Sequence, residues 1–548
     1  MKAFSLLARA SLIALLPLSA PLAAEETPPD PAAINAAINA PLPADQAAIK
    51  AHVMFLASDA MKGREAGSAE FDIAAQYVAS RFYAAGLRPG GDAGAYLQAV
   101  PLVRYRSTGE SRTTLTTAAG KQTFAAGSDY IALADPRRAK VSLDAPVVFV
   151  GYGVPDDLAR LDLKGKIVAL LPGAPHDLNA EQRAYLGSID TKAEAAAARG
   201  AVGVIQLVAP GSERTTPFAR VAERSTRARM TWAEPDGTGH ADASIPIVAT
   251  FSEAGAAKLF AGTRTAWAAL VKEAKRPVPR YTAQPLPGRL AIDTASAFEA
   301  AHSSNVIGVL PGSDPALAKE IVVLSAHLDH IGITAPDARG DAINNGALDD
   351  AIGIASLIEE AKRFHERAPR RTVMFVAFTA EEKGLIGSDY FTAHLPATGT
   401  IVADVNLDMP ILTYRFEDMV AFGGDRSTLG PVIGRALAGI GVTLSPDPMP
   451  GEAIFVRSDH FNFVRHGIPA VFLWPGPKGP GKAATDEFMS KHYHRPSDDL
   501  TQPILWDQAV RFVDANYRIA REISDADVRP LWNKGDYFAG LFDGPMAQ

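Results

Sequence analysis

Four apolar runs between Ile321 and Pro410 each stop at an acid or an imidazole. IVVLSAHLDHIG runs into His327 and Asp329, NNGALDDAIGIASLIEEAKRF carries Asp349 and Asp350, VMFVAFTAEEKGLIGS carries Glu381 and Glu382, and IVADVNLDMP ends at Asp408. Carboxylates and imidazoles gathered at the ends of buried strands supply the oxygen and nitrogen donors that hard or borderline divalent cations take. The sequence has no cysteine, so any metal must be held by His, Asp and Glu, which points away from a structural zinc finger and toward an open catalytic site.

Each candidate also has a plainer reading. Asp349 stands where a helix begins, and acids there serve as caps. Asp350, one residue nearer the helix, is the better cap and leaves Asp349 free to face a cation. Glu381 and Glu382 would point to opposite faces of a regular strand. Past the strand end the chain can turn and bring both to one pocket, one to bind metal and one to take a proton from water. As a plainer alternative they are a solvated pair opening the next helix. Downstream, KHYHRPSDDL offers His492 and His494, and His494 is preferred because the acids behind it can engage its second ring nitrogen. His460 is the rival, in RSDHFNFVRHGIPAVFL; its neighbours Arg457 and Asp459 place it behind the ligands or against substrate rather than on a metal, and all three are candidates for substrate contact.

The elements that must position these residues follow from periodicity. From about residue 285, strands (NVIGVLPG, IVVLSAH, VMFVAF, IVADVNLD, PAVFLW) alternate with helices at 350–365, 384–394, 428–440 and 504–522. That alternation predicts an α/β fold, a mostly parallel mixed sheet flanked by helices. Earlier, two helices are predicted, one with Ile49, Val53, Met54 and Leu56 at helical spacing, the other with Ile73, Ala74, Tyr77, Val78 and Phe82 on one face. His52 reads as a structural or solvated side chain. Residues 95–140 read as strands, 138–283 as an inserted β-rich module, and the arginine-rich stretch 213–229 as a surface loop.

A chain of 548 residues exceeds one ordinary core, so two or more domains are expected. Hydrophobic content of 47%, charged content of 21% and a net charge of −7 describe a mildly acidic globular protein with no nucleic-acid footprint. Residues 1–24 read as a secretory signal peptide, Lys2 and Arg9 flanking a short apolar run that turns polar at Glu25. Residues 25–45 read as a flexible lead-in. Export, to the periplasm or the exterior and without stable membrane insertion, is the expectation, and no later segment is apolar enough to span a bilayer.

Taken in order, SAHLDHIG, GALDDAIGIA, FTAEEKGLIGS, VNLDMP, RSDHFNFVRHGIPAVF and YHRPSDDL resemble the co-catalytic di-zinc aminopeptidase family, which also holds glutamate carboxypeptidases, a transferrin receptor and glutaminyl cyclases. DAMKGREAGS resembles the amino-terminal part of its secreted bacterial members, and FVGYGV with DLKGKIVALLPG is similar to the protease-associated (PA) domain inserted in them. After the signal peptide at 1–24, the resemblance implies a peptidase domain in two pieces, 25–137 and 284–548, and a PA domain at 138–283. It implies two zinc ions per chain, one held by His327, Asp349 and Asp408, the other by Asp349, Glu382 and His494, with Asp349 bridging. Glu381 matches the general base and Asp329 the carboxylate that orients His327. The implied reaction is removal of N-terminal residues from peptides by a zinc-activated water. The rivals are a carboxypeptidase or dipeptidase with the same metals, a non-catalytic binding protein, and a glutaminyl cyclase.

Overall fold

The computed structural model describes residues 31–365, 367–396 and 399–548. The chain forms two units, Met1–Pro41 and Leu42–Gln548. The first contributes one described helix, Pro31–Ile38. The proposed signal peptide, residues 1–24, lies outside the described residues. Among the described residues no helix is long and apolar enough to cross a membrane.

The second unit is built on a sheet whose centre is parallel. Ala470–Pro475, Thr400–Leu407, Glu320–His327 and Thr372–Phe378 lie side by side in that order, all parallel. Their sequences are nearly continuous apolar runs rich in Val, Ile and Phe, the pattern of strands covered on both faces, and almost every residue in them is buried. Helices Ala44–Leu56, Ile352–Phe364 and Trp506–Asp525 pack on one another, as do Ile386–Ala393 and His460–Arg465.

The sheet turns antiparallel on both sides. Asp418–Phe422 runs against Ala470–Pro475, and Gln284–Leu310 runs against Thr372–Phe378. The latter strand has 27 residues and also pairs with Leu97–Thr117 and Lys140–Phe149. Through it the sheet continues into a second parallel set: Lys140–Phe149, Ile167–Leu170, Gly203–Leu207 and Ile247–Phe251. That set carries apolar clusters of its own, one around Phe149, Phe251, Phe260 and Trp267, another around Leu163, Val168, Ala193 and Val204.

Two local expectations need correction. In the helix Ala69–Ala84 the buried stripe is Phe71, Ala74, Ala75, Val78 and Phe82, while Ile73 is 53% exposed. The stripe begins at Phe71 and advances by three and four, which rotates Ile73 outward. The arginine-rich stretch is also more ordered than a loop: it contains the helix Phe218–Ser225 and the strand Arg229–Trp232, which pairs with Leu97–Thr117.

Candidate metal centre

The acids and imidazoles meet where the central parallel strands end. His327 is the last residue of its strand, and Asp408 follows directly on Leu407. Loops at the carboxyl ends of parallel strands converge over the sheet edge, so residues far apart in sequence arrive at one place. Ala380 has a left-handed backbone (φ +55°) just after the strand Thr372–Phe378, which breaks the strand alternation before Glu381 and Glu382. Met409 (φ +49°), Leu385 (φ +59°) and His494 (φ +57°) share that conformation. Non-glycine residues there cost of order 1 kcal/mol or more each, and such strain collects where a site needs side chains aimed against the local propensity.

Asp349 lies in the turn before the helix Ile352–Phe364, and glycines make that turn. Gly346 has φ +61°, and a Cβ on it would lie 2.2 Å from the Asp349 carbonyl oxygen and 2.7 Å from the His330 ring. Asp350 accepts from the Gly353 N–H at 3.1 Å and the Met409 N–H at 3.0 Å, so it ties the helix start to the strand end beside it. Asp349 is left facing the centre.

Two donor clusters share Asp349. His327 Nε2 lies 3.2 Å from Asp349 Oδ1 and 3.3 Å from Asp408 Oδ1. Across Asp349, His494 Nε2 lies 3.4 Å from its Oδ2 and 3.2 Å from Glu382 Oε2. His330 joins this second cluster, its Nδ1 2.7 Å from Glu382 Oε1 and 3.9 Å from Asp349 Oδ2. His330 and Glu382 touch without hydrogen-bond geometry between them, as donors do when both are aimed at a third point. The ligand atoms of His327, Asp349 and Asp408 lie within 4.8 Å of one another, as do those of His330, Asp349 and Glu382. Nitrogen and carboxylate oxygen in this number and spacing fit divalent zinc, and a cation there would offset the excess of buried acid over buried base.

Residues 305–520 match the profile of peptidase family M28. The chain carries an M28 peptidase domain. Over 217 residues it is 28% identical to a probable leucine aminopeptidase 2 of Aspergillus oryzae, covering 36% of this chain and 40% of that protein. Over 212 residues it is 29% identical to leupeptin-inactivating enzyme 1 of Streptomyces exfoliatus, covering 36% and 43%. The chain thus spans about two-fifths of the length of these curated relatives. Among solved structures, an aminopeptidase from Aneurinibacillus sp. strain AM-1 aligns over 92% of this chain and 98% of its own, at 20% identity and a TM-score of 0.48.

Around the M28 centre, backbone and buried polar groups hold the donors. The Asp498 carboxylate accepts from the N–H groups of Leu348 and Asp349 at 2.9 and 3.0 Å. Ser458 Oγ donates to Asp408 Oδ2 at 2.5 Å, and Trp474 Nε1 donates to the Asp408 carbonyl at 2.7 Å. The fully buried Arg64 guanidinium donates to the carbonyls of Leu56, Leu328, Asn345 and Gly346, pinning the His327 and Asp349 loops to each other. Burial lowers the Arg64 pKa to about 10, against the pull of Asp498, Asp329, Asp349 and Asp350.

Several predicted residues act differently from their sequence assignment. Asp329 orients His327 with its backbone carbonyl, 3.1 Å from Nδ1. Its carboxylate instead accepts from the N–H groups of Glu381 and Glu382 at 3.0 and 3.4 Å, because the turn at Ala380 presents both amides to it. The acids behind His494 are also engaged elsewhere, Asp498 as above and Asp499 on Thr501. Asp459 and His460, read as substrate contacts, are wholly buried. Asp459 accepts from Ser388 Oγ at 2.6 Å, and the His460 ring packs between Phe455 and Phe472, where burial lowers its pKa to about 3. Neither is exposed to solvent in this structure. Arg457 is half-exposed and borders a cavity of about 730 Å³. The cavity runs from Lys383–Ile386 to Tyr105, Arg229 and Trp232, with Arg465 held by Asp242 at 2.8 Å.

Sequence reasoning missed His330, Arg64, Ser458 and Asp498. His330 was in view, three residues after His327 in the same run, and Arg64 stood alone in the turn KGREAGS. The centre is electrostatically tense. Burial opposes charge on His327, but Asp408 and Asp349 prevail and hold its pKa well above the ordinary value. Burial would raise Asp349, yet His330, His327 and His494 hold it well below the usual range. Glu381 is pushed well above the usual range by burial, with Asp408 and Glu382 adding repulsion.

Proposed function

We propose that this protein is an exported metallo-aminopeptidase that binds two zinc ions, with Glu381 as general base. The observation that carries the reading is the pair of donor clusters sharing Asp349, one completed by His327 and Asp408, the other by Glu382 with His494 and His330. Zinc held there supplies Lewis acidity toward water and a peptide carbonyl. Glu381, fixed by Asp329 through its backbone N–H, is raised by burial and by its acidic neighbours, and so is suited to take a proton from the attacking water. It returns that proton to the leaving amine. The acids of the second cluster draw the free α-amine of a peptide, which favours cleavage of the first residue. The leucine aminopeptidase and zinc metalloprotease names of the relatives agree with this reading. The apolar segment before Glu25, with Lys2 and Arg9 beside it, supports export, and residues 138–283 are proposed to act as a PA domain.

The test is Glu381→Gln. Zinc content should stay near that of the wild type while turnover of aminoacyl substrates falls roughly 10²–10⁴-fold, the usual contribution of a general base. A variant that keeps most of its activity removes Glu381 from the role. One observation favours a second reading: Arg457 and Arg229 at the cavity could hold a substrate carboxylate, as a carboxypeptidase or dipeptidase of the same family requires. Cleavage of N-blocked peptides, with no cleavage of aminoacyl amides, would establish that alternative.

A further inference from the structure

A line of buried polar side chains runs from Asp408 into the sheet. Ser458 Oγ is 2.5 Å from Asp408 Oδ2, and Asn406 Nδ2 is 2.8 Å from Ser458 Oγ. Ser325 Oγ lies 3.0 Å from Asn406 Oδ1 and 2.9 Å from Asp404 Oδ1. Asp404 and Asn406 are two apart on the strand Thr400–Leu407 and therefore share a face, and Ser325 pairs with Asn406 on the adjacent parallel strand. Asp404, Asn406 and Ser325 are wholly buried.

Counting hydrogens settles the direction of this line. A carboxylate that holds a cation carries no proton, so the contact between Ser458 and Asp408 uses the one hydrogen of the Ser458 hydroxyl. Ser458 must then receive a hydrogen from Asn406 Nδ2, which leaves Asn406 Oδ1 facing Ser325 and accepting its single hydrogen. Ser325 has none left for Asp404, and two bare oxygens 2.9 Å apart would repel. Turning the Asn406 amide over fails, because Ser458 would then need two hydrogens, one for Asn406 and one for Asp408.

We propose that Asp404 is a neutral carboxylic acid whose O–H donates to Ser325 Oγ, and that it is a positioning residue which, through Ser325, Asn406 and Ser458, fixes the orientation of the Asp408 carboxylate. Both halves rest on the reading of Asp408 as a zinc ligand, the first because the count starts from an unprotonated Asp408. The surroundings agree. Burial raises the Asp404 carboxyl well above the usual range, and Asp459, from the segment that precedes the helix His460–Arg465, pushes the same way. On the neighbouring strand, His327 turns its Nε2 to Asp349 and Asp408. Asp404 Oδ2 has no hydrogen-bond partner among the described residues, a tolerable position for an acid and a costly one for a carboxylate. Groups behind a ligand commonly tune metal affinity by roughly 10–100-fold.

Two measurements test this. Infrared difference spectra at neutral pH, wild type minus Asp404→Asn, should show the carbonyl stretch of a protonated buried carboxyl. Zinc affinity, measured by competition with a chromogenic chelator, should fall roughly 10–100-fold in Asp404→Ala and Ser325→Ala. Asp404→Asn, whose amide can donate in place of the acid, should stay within about threefold of wild type under the same convention. No lost carbonyl band, or an Asp404→Asn protein as weak as Asp404→Ala, overturns the proposal. If Asp404→Ala does not fold, Ser325→Ala carries the comparison. A wild-type protein that binds no zinc would defeat the metal reading, while the infrared band would still decide the state of Asp404.

Discussion

Among the described residues, Asp349 is the one side chain placed between both donor clusters, with one carboxylate oxygen toward His327 and the other toward His494. Replacing it with Ala should therefore empty both zinc positions, whereas loss of a ligand from one cluster should spare the other. His494→Ala and His330→Ala both strike the Glu382 side. Each is expected to leave one tightly held zinc on His327, Asp349 and Asp408 and to weaken the second by at least roughly 10–100-fold, the usual effect of losing a group behind a ligand. Equilibrium dialysis followed by elemental analysis would separate the cases. A His330→Ala protein with both sites at wild-type affinity would show that His330 is only packed beside the centre.

At the scale of the elements, the turn before the helix Ile352–Phe364 does the positioning. Gly346→Ala would put a methyl group 2.2 Å from the Asp349 carbonyl at a left-handed residue. We expect a loss of about 1–3 kcal/mol in stability from strain and crowding, together with weaker zinc binding. Thermal unfolding with and without zinc would show whether the two losses travel together. The same helix buries Glu360, with one carboxylate oxygen unpartnered among the described residues, and burial raises its pKa to about 8. The folded state thus keeps a proton that the unfolded chain releases near the ordinary glutamate pKa. Stability is highest below that value and declines as pH rises toward 8. Glu360→Gln removes this loss, so it should raise the melting temperature at neutral pH and change little in acid. Equal shifts at both pH values would refute the assignment.

The limits of the sequence are clear at this scale. Strand ends were legible because the apolar runs stop abruptly at polar residues, and a parallel sheet brings such ends together. The burial of Asp459 and His460 was not legible, because polar residues ordinarily face solvent, whereas a packed helix and two phenylalanines cover them. The role of the Asp329 carboxylate depends on the left-handed turn at Ala380, and local propensity gives no sign of a left-handed alanine. Arg64 could not be read as a clamp because its four carbonyl partners come from three separate segments.

Over the whole molecule, the long strand Gln284–Leu310 joins the sheet of the M28 domain to the second parallel set, and the cavity that borders Lys383–Ile386 is lined from both. The centre gathers Asp329, Asp349, Asp350, Asp408, Asp459 and Asp498 in burial with Arg64 as a fixed cation, so the cations are expected to stabilise the fold itself. Removing zinc with a chelator should lower the melting temperature by several degrees, and zinc should restore it; an unchanged transition would mean that the folded state does not depend on metal. The account stands most directly on metal stoichiometry. Elemental analysis of the purified protein is predicted to give two zinc ions per chain, falling to well below one in Asp349→Ala. A wild-type protein without bound metal, or an Asp349→Ala variant that keeps both ions, would contradict it.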